Sequence, residues 1–165
     1  MLNFEDFKLV VKNTPLVAID LVTIDYSRNI YIGKRLNNPA KDSYFVPGGR
    51  IFKGETFEKA FERISLAELG KRHHLADASF LGFFEHIYAE NAFLDDSFGT
   101  HYVVLAFVVY INADEISLSQ QHSEILKLEL NRLESVDGIH KYTKEYVNRV
   151  RLLLNSPQEE KNASN

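Results

Sequence analysis

The stretch that decides the fold is residues 48–70, which read G-G-R-I-F-K-G-E-T-F-E-K-A-F-E-R-I-S-L-A-E-L-G. Its two leading glycines follow an apolar run and a proline at residues 44–47. A strand therefore enters a turn where the backbone can approach a ligand closely, because glycine has no side chain to block it. Phe57, Phe61 and Ile64 then recur at helical spacing and predict a helix with one apolar stripe. We expect the chemistry to be held where this turn meets this helix.

One acidic residue, Glu68, falls on the apolar stripe of the predicted helix. At about 100° per residue, its side chain projects between Phe57 and Phe61 rather than toward solvent. A carboxylate on a core-facing arc needs a cation or hydrogen-bond donors to offset its desolvation. The alternative is a glutamate near the helix end whose side chain swings out to water. Glu58 and Glu62 lie on the opposite side of the helix, where solvation is expected.

The composition excludes several classes of function. A chain of 165 residues with 45% hydrophobic content is long enough for one domain with a full core. Its net charge of -4, with acids and bases interspersed, provides no basic stripe for nucleic acid, although a small phosphorylated ligand is compatible. The absence of cysteine excludes disulfides, thiolate catalysis and thiolate zinc sites. No apolar run approaches the roughly 20 residues of a membrane span, and the start of the chain lacks a signal core. We therefore predict a cytoplasmic protein without a membrane partner.

Apolar periodicity predicts strands and helices on both sides of the central stretch. The expected strands are residues 15–25, 30–33, 44–46, 79–88, 101–111 and 124–128, and the expected helices are residues 4–12, the helix within 48–70, and 142–154. Asn3 is the candidate cap of the first helix, and Tyr146, Val150 and Leu153 form the inner face of the last. This pattern favours an α+β sandwich, in which helices cover both faces of a mixed sheet.

The chain is expected to form a single domain over residues 1–155. Residues 156–165 are polar without periodicity and predict a disordered tail. Two polar loops interrupt the pattern, at residues 89–100 and 117–123. The first has a length that is more often functional than merely connecting.

Asp20 interrupts an otherwise apolar strand. A buried acid costs several kcal/mol unless it is paired. Asp20 therefore either has a functional or supporting role, or its side chain faces outward into water, and the sequence leaves both possibilities open.

The central stretch resembles the box of the Nudix hydrolases, G-x5-E-x7-R-E-U-x-E-E-x-G-U, in which U is a bulky apolar residue. Five of its fixed residues stand at the required spacings, namely Gly49, Glu55, Arg63, Glu68 and Gly70. Four positions depart from the box, and they hold Ile64, Ser65, Ala67 and Lys71. One branch of the family has this altered form, the GDP-mannose mannosyl hydrolases.

The resemblance to that branch covers nearly the whole chain. It is carried by E-D-F at 5–7, N-T-P-L-V at 13–17, G-K-R at 33–35, F-V-P-G-G-R at 45–50, A-F-E-R at 60–63, A-E-L-G at 67–70, T-H-Y-V-V-L at 100–105 and Q-H at 121–122. It implies a Nudix-like α/β/α sandwich that acts as a homodimer, with the first helix as one plausible contact. It also implies Mg²⁺-dependent hydrolysis of GDP-mannose, with GDP-glucose as a second substrate. Water would attack the anomeric carbon with inversion, giving GDP and the free sugar.

The metal ligands implied by the resemblance are Glu68, the backbone carbonyl of Gly48 and the amide of Gln121. Diphosphate oxygens and water would complete the roughly six oxygen ligands that Mg²⁺ favours. An ion so placed stabilises charge on the departing nucleoside diphosphate, so the attacking water needs a separate base. The resemblance assigns that base to His122 and makes Asp20 the residue that orients it. From the residues alone, imidazole suits a base near neutral pH, but a histidine in a polar loop is more commonly just solvated.

The resemblance also implies a set of substrate contacts. Arg35 and Arg50 match residues that hold the diphosphate, where a planar guanidinium binds oxygens bidentately, and Arg35 is also counted as catalytic. Tyr102 matches a tyrosine that contacts phosphate, and His86 matches a residue near the site. The alternatives are surface solubility for the arginines and ring packing within strands for the other two.

Two other functions stay open at this stage. A conventional Nudix phosphoanhydride hydrolase would release GMP and a sugar phosphate. A nucleotide-sugar-binding module would have lost catalysis along with the missing acids. In all cases Arg63 and Glu55 are expected to form a structural pair that ties the loop to the helix.

Overall fold

The computed structural model describes residues 2–112 and 122–155, and these form three α-helices and seven β-strands. The helices are α1 (Phe4–Asn13), α2 (Phe57–Leu69) and α3 (Lys141–Asn155). The strands are β1 (Leu16–Ile24), β2 (Asn29–Arg35), β3 (Tyr44–Phe45), β4 (Gly48–Arg50), β5 (Ser79–Tyr88), β6 (Thr100–Tyr110) and β7 (His122–Glu129). Short 3₁₀ helices at Leu75–Asp77 and Leu130–Ser135 were not expected from the sequence.

The strands form one mixed sheet with the order β3-β2-β1-β6-β5. Strand β4 also pairs with β1, and β7 also pairs with β2. The central β1 and β6 are parallel, whereas the other pairs are antiparallel. The strands predicted at residues 15–25 and 30–33 pair as the antiparallel hairpin of β1 and β2, and the predicted α+β sandwich with a mixed sheet is confirmed.

Helices α2 and α3 cover opposite faces of the sheet. Because successive residues of β1 point to opposite sides, this strand contributes side chains to the core under each helix. Ile19 and Leu21 pack in the cluster under α2, whereas Val22 and Ile24 pack in the cluster under α3. Strand β1 is therefore buried on both faces, which explains its nearly continuous apolar sequence. Asp20 shares the α3 side with Val22.

The helix ends follow local capping chemistry. Asn3 caps α1 as predicted, since its side chain accepts a hydrogen bond from the backbone N–H of Asp6 at 2.9 Å. Thr56 caps α2, since its side chain accepts a hydrogen bond from the backbone N–H of Lys59, and this cap was not predicted from the sequence. The helix ends at Gly70, whose φ of 73° is the left-handed conformation that glycine adopts without strain.

Three sequence predictions were wrong at element ends. Phe57 is 53% exposed, because it is the first residue of α2 and the buried stripe begins one turn later. Leu153 is exposed near the end of α3, although Tyr146 and Val150 are fully buried as predicted. His122 was placed in a loop, but its backbone opens β7 and pairs with that of Arg35.

Two further predictions fall outside the described residues: the tail at 156–165 and residue Gln121. Within residues 2–112 and 122–155, no helix is long and apolar enough to cross a membrane.

Candidate active site

A cleft of about 350 Å³ opens between α1, α2 and β4. Its walls include seven of the residues singled out in the sequence, which are Asp20, Arg35, Gly48, Arg50, Glu68, His86 and Tyr102. They come from five strands and one helix, so only the folded sheet brings them together.

The glycine turn closes tightly on Asp20. Strand β4 pairs with β1 so that Gly48 lies opposite Asp20. A Cβ atom on Gly48 would overlap Oδ1 of Asp20 and would lie 2.8 Å from the backbone oxygen of Ile19. No side chain fits there, so the backbone of Gly48 borders the cleft directly and one oxygen of Asp20 lies against it.

Glu68 is buried in the wall of the cleft and is 4% exposed. The alternative of a glutamate swung out to water is therefore wrong. Ile64 and Ala67, which occupy positions where the full motif has acids, line the same cleft. Within the described residues, no group of three or more His, Cys, Asp or Glu side chains is arranged to hold a metal ion. Glu68 and the backbone of Gly48 both line the cleft and offer hard oxygen donors, the kind that Mg²⁺ prefers.

Asp20 is 7% exposed and faces α3, so the outward-facing alternative is excluded. Its Oδ2 accepts a hydrogen bond of 2.7 Å from the hydroxyl of Tyr146. Burial raises the pKa of Asp20 to about 7, against the opposing effects of the Tyr146 hydrogen bond and the charge of Arg35. The nearby negative charge of Glu68 adds to the increase.

The same tyrosine hydroxyl lies 2.9 Å from Nε2 of His86. Burial, with the positive charges of His140, Lys141 and Arg35, lowers the pKa of His86 to about 3. The imidazole is therefore neutral at physiological pH.

Tyr146 is a site neighbour that sequence reasoning missed, because it was assigned only to the inner face of α3. A signal was present: a tyrosine on a buried helix face brings a hydroxyl that needs a hydrogen-bond partner. Tyr142, one turn earlier, also escaped notice, and its ring stacks on His86 with centroids 3.9 Å apart.

The two arginines lie on aromatic rings in the cleft. The Nε of Arg35 donates to the backbone oxygen of Pro39 at 2.9 Å, and its guanidinium lies 5.7 Å from the ring centre of Phe45. Arg50 lies 3.8 Å over the ring of Phe7 from α1. Burial lowers the pKa of Arg50, yet a guanidinium stays charged at neutral pH. Both cations are therefore placed to bind anionic oxygens.

Arg63 and Glu55 form the pair expected from the motif. Their contact is bidentate, with Nε to Oε1 at 2.6 Å and Nη2 to Oε2 at 2.8 Å. Glu55 also accepts the backbone N–H of Phe52 at 2.8 Å, and Arg63 donates to the backbone oxygen of Arg50 at 2.9 Å. These bonds tie the loop after β4 to α2 and hold the cleft wall in place.

His122 enters this neighbourhood through its backbone, as the cross-strand partner of Arg35. Its side chain and the whole of Gln121 lie outside the described residues. The catalytic role of His122 and the ligand role of Gln121 stay predictions.

A family model described as NUDIX domain matches residues 14–153. The low-salt glycan biosynthesis protein Agl8 of Haloferax volcanii is 34% identical over 143 residues, which are 87% of this chain and 86% of that protein.

Solved structures share the fold at low identity. The MutT NUDIX hydrolase of Burkholderia pseudomallei superposes with a TM-score of 0.68 and 23% identity, over 84% of this chain and 99% of that one. The NUDIX domain of Shewanella oneidensis NrtR, solved in complex with ADP ribose, has a TM-score of 0.65 and 13% identity, over 93% of this chain and 99% of that one.

Proposed function

Because the chain belongs to the NUDIX family of hydrolases, we propose that it hydrolyses GDP-mannose, and GDP-glucose as a second substrate, to GDP and the free sugar. The observation that supports this chemistry is the wall of the cleft formed by α2. There Glu68 is the buried carboxylate, while Ile64 and Ala67 stand at motif positions that normally carry acids. Such a wall suits one cation on the leaving group better than several cations that generate a hydroxide at phosphorus.

The relatives are compatible with a nucleotide-sugar substrate. The protein from Haloferax volcanii is named for glycan biosynthesis, and the domain from Shewanella oneidensis was solved with ADP ribose. Both the base and the sugar of our proposed substrate rest on the resemblance of the sequence motifs.

Glu68, the backbone carbonyl of Gly48 and the amide of Gln121 would hold Mg²⁺. When bound, that ion supplies positive charge beside the diphosphate oxygens. Arg35 and Arg50 bind the same diphosphate and offset the charge that develops on it as the sugar departs. Tyr102 and His86 line the cleft as further substrate contacts.

The bond change is at carbon. A water oxygen bonds to the anomeric carbon while the bond from that carbon to the diphosphate oxygen breaks, and its electron pair leaves with GDP. His122 takes the proton from the water, and Asp20 orients the His122 side chain. Because water attacks opposite the leaving group, the configuration at the anomeric carbon inverts.

The test is hydrolysis of GDP-mannose in ¹⁸O-labelled water with Mg²⁺, followed by mass analysis of both products. We expect the label in mannose. Label in GDP would overturn attack at carbon, and release of GMP with mannose 1-phosphate would identify a conventional phosphoanhydride hydrolase. Binding of GDP-mannose without turnover would identify a binding module instead. His122→Ala should abolish turnover while leaving GDP-mannose binding measurable, because it removes the base and not the diphosphate contacts.

A further inference from the structure

We propose that Tyr146 is a positioning residue of this site, whose hydroxyl fixes the carboxylate of Asp20 and the tautomer of His86 together. The consequence for catalysis rests on the function proposed above, whereas the consequence for His86 does not.

The geometry places one hydroxyl between two residues of the cleft wall. The Tyr146 oxygen lies 2.7 Å from Oδ2 of Asp20 and 2.9 Å from Nε2 of His86. All three residues are buried, with His86 2% exposed and Tyr146 fully enclosed. A buried network of this kind costs free energy unless each polar group is satisfied, so its proton arrangement is tightly constrained.

The donors and acceptors permit one arrangement when Asp20 is ionised. A carboxylate only accepts hydrogen bonds, so the single hydroxyl proton of Tyr146 goes to Asp20. The Tyr146 oxygen can then only accept from His86, which requires the proton on Nε2 and leaves Nδ1 as an acceptor. His86 would therefore present the cleft with a neutral ring of fixed tautomer, which suits a hydrogen bond from a substrate hydroxyl.

Helix α3 holds this arrangement rigidly. The ring of Phe84 packs edge-on against Tyr146 with centroids 4.6 Å apart. One turn earlier, Tyr142 stacks on His86, and its hydroxyl bonds the N–H of Ile87 at 2.7 Å and the carbonyl of Ile87 at 3.0 Å. Helix α3 thus holds His86 at two points, through Tyr142 on the face of the ring and through Tyr146 at Nε2.

The position of Asp20 depends on the same bond. The Tyr146 hydroxyl donates to Oδ2 of Asp20, and Oδ1 of the same carboxylate lies against Gly48 at the edge of the cleft. Without the hydroxyl, the carboxylate can turn within the site. Loss of a hydrogen bond that orients a metal ligand reduces activity on the order of 10- to 100-fold, and we expect a loss of the same order for this bond.

The test variant is Tyr146→Phe, which removes the hydroxyl and keeps the ring. The matched control is Tyr31→Phe, because Tyr31 also donates from a buried position to an aspartate, Asp25, at 2.9 Å, but it does not line the cleft. With GDP-mannose as substrate, Tyr146→Phe should lower kcat on the order of 10- to 100-fold with KM changed about threefold at most. Tyr31→Phe should keep kcat within about twofold while losing comparable thermal stability.

A second measurement needs no turnover. Long-range ¹H–¹⁵N NMR of the imidazoles at about pH 9, well above the usual range of carboxyl pKa values, should show His86 in the Nε2–H tautomer in the wild type and in Tyr31→Phe. Tyr146→Phe should shift His86 toward a mixture of tautomers. The His86→Gln spectrum identifies the signals.

The outcomes separate the two proposals. Wild-type kcat in Tyr146→Phe would reduce Tyr146 to a core residue, and an Nδ1–H tautomer in the wild type would overturn the arrangement of protons. If the wild-type protein does not hydrolyse GDP-mannose, the proposed function fails, and the NMR comparison still decides the role of Tyr146.

Discussion

At the scale of single residues, Gly48 is the position where a methyl group should do most harm. An added Cβ would meet a backbone oxygen and the carboxylate of Asp20, neither of which can move without disturbing β1. Gly48→Ala should therefore lower kcat/KM by about 100-fold or more, since small displacements in a site have large effects. Gly49→Ala is the comparison, because its nearest neighbour is the Ile64 side chain at 3.3 Å, which can shift. Equal kcat/KM losses in the two variants would contradict this account.

A substitution of Glu68 tests the predicted metal site. It is the buried acid of the α2 wall, so Glu68→Gln should weaken binding of Mg²⁺ or Mn²⁺ by at least about tenfold through loss of the charged ligand. Isothermal titration of the ion into substrate-free protein measures this directly. Glu58→Gln, on the exposed side of the same helix, removes the same charge and should leave the affinity unchanged. Unchanged affinity in Glu68→Gln would place the ion elsewhere.

At the scale of elements, the β1–β2 hairpin is held by the buried carboxylate of Asp25. Its Oδ1 accepts the backbone N–H groups of Ser27 and Asn29, each at 2.9 Å. Its Oδ2 accepts the Tyr31 hydroxyl at 2.9 Å and lies 3.2 Å from Nζ of Lys127 on β7. Burial alone would raise the pKa of Asp25, but the hydrogen bonds from Asn29, Tyr31 and Lys127 together lower it well below the usual range.

This lowered pKa fixes the sign of a pH effect. Because the folded state holds Asp25 ionised more strongly than the unfolded chain does, its contribution to stability is complete above the unfolded pKa of about 3.9 and is lost as the pH falls below it. Asp25→Asn should lower the free energy of unfolding by about 2 kcal/mol at pH 7. The variant's free energy of unfolding should also fall less steeply as the pH is lowered. Urea unfolding between about pH 3 and pH 7 measures both curves. Parallel curves would show that other carboxylates cause the acid sensitivity.

The elements also show how far the sequence alone could lead. Apolar periodicity placed six of the seven strands and all three helices, because elements such as β1 and α2 have strong local patterns. It missed β4, because its Gly-Gly-Arg sequence reads as a turn. It failed at Phe57 and Leu153, since periodicity does not say where a helix stops being covered by neighbours. The contact of Tyr146 with His86 joins residues that are 60 positions apart, and no local pattern encodes such a pair.

At the scale of the whole molecule, the loop at residues 89–99 ties α1 to the cleft. The loop is shaped by buried Asn91, whose Nδ2 donates to the backbone oxygens of Asp95 and Phe98, each at 2.7 Å. Asp95 then pairs with Lys8 of α1 at 2.8 Å. The loop, whose length is more often functional than merely connecting, therefore contacts α1 through a defined ion pair.

Aromatic contacts between this loop and α1 predict an effect on substrate affinity. The ring of Phe93 packs on Phe4 and Phe7 of α1, with centroids 5.1 and 5.5 Å apart, and Phe7 in turn lies under the Arg50 guanidinium. Phe93→Ala should loosen α1, so amide hydrogen exchange over residues 4–13 should accelerate. KM for GDP-mannose should rise and kcat/KM should fall by about 3- to 10-fold, because the variant disturbs Arg50, which we propose both binds the diphosphate and offsets its developing charge.

Leu94→Ala is the control for this prediction, since Leu94 is 79% exposed at the tip of the same loop. It should change neither amide exchange in α1 nor KM. A kcat loss without a KM change in Phe93→Ala would mean that the loop supports the chemical step itself. Faster exchange with unchanged KM would instead mean that Arg50 is held without α1, because the guanidinium also lies over Phe52 at 5.2 Å.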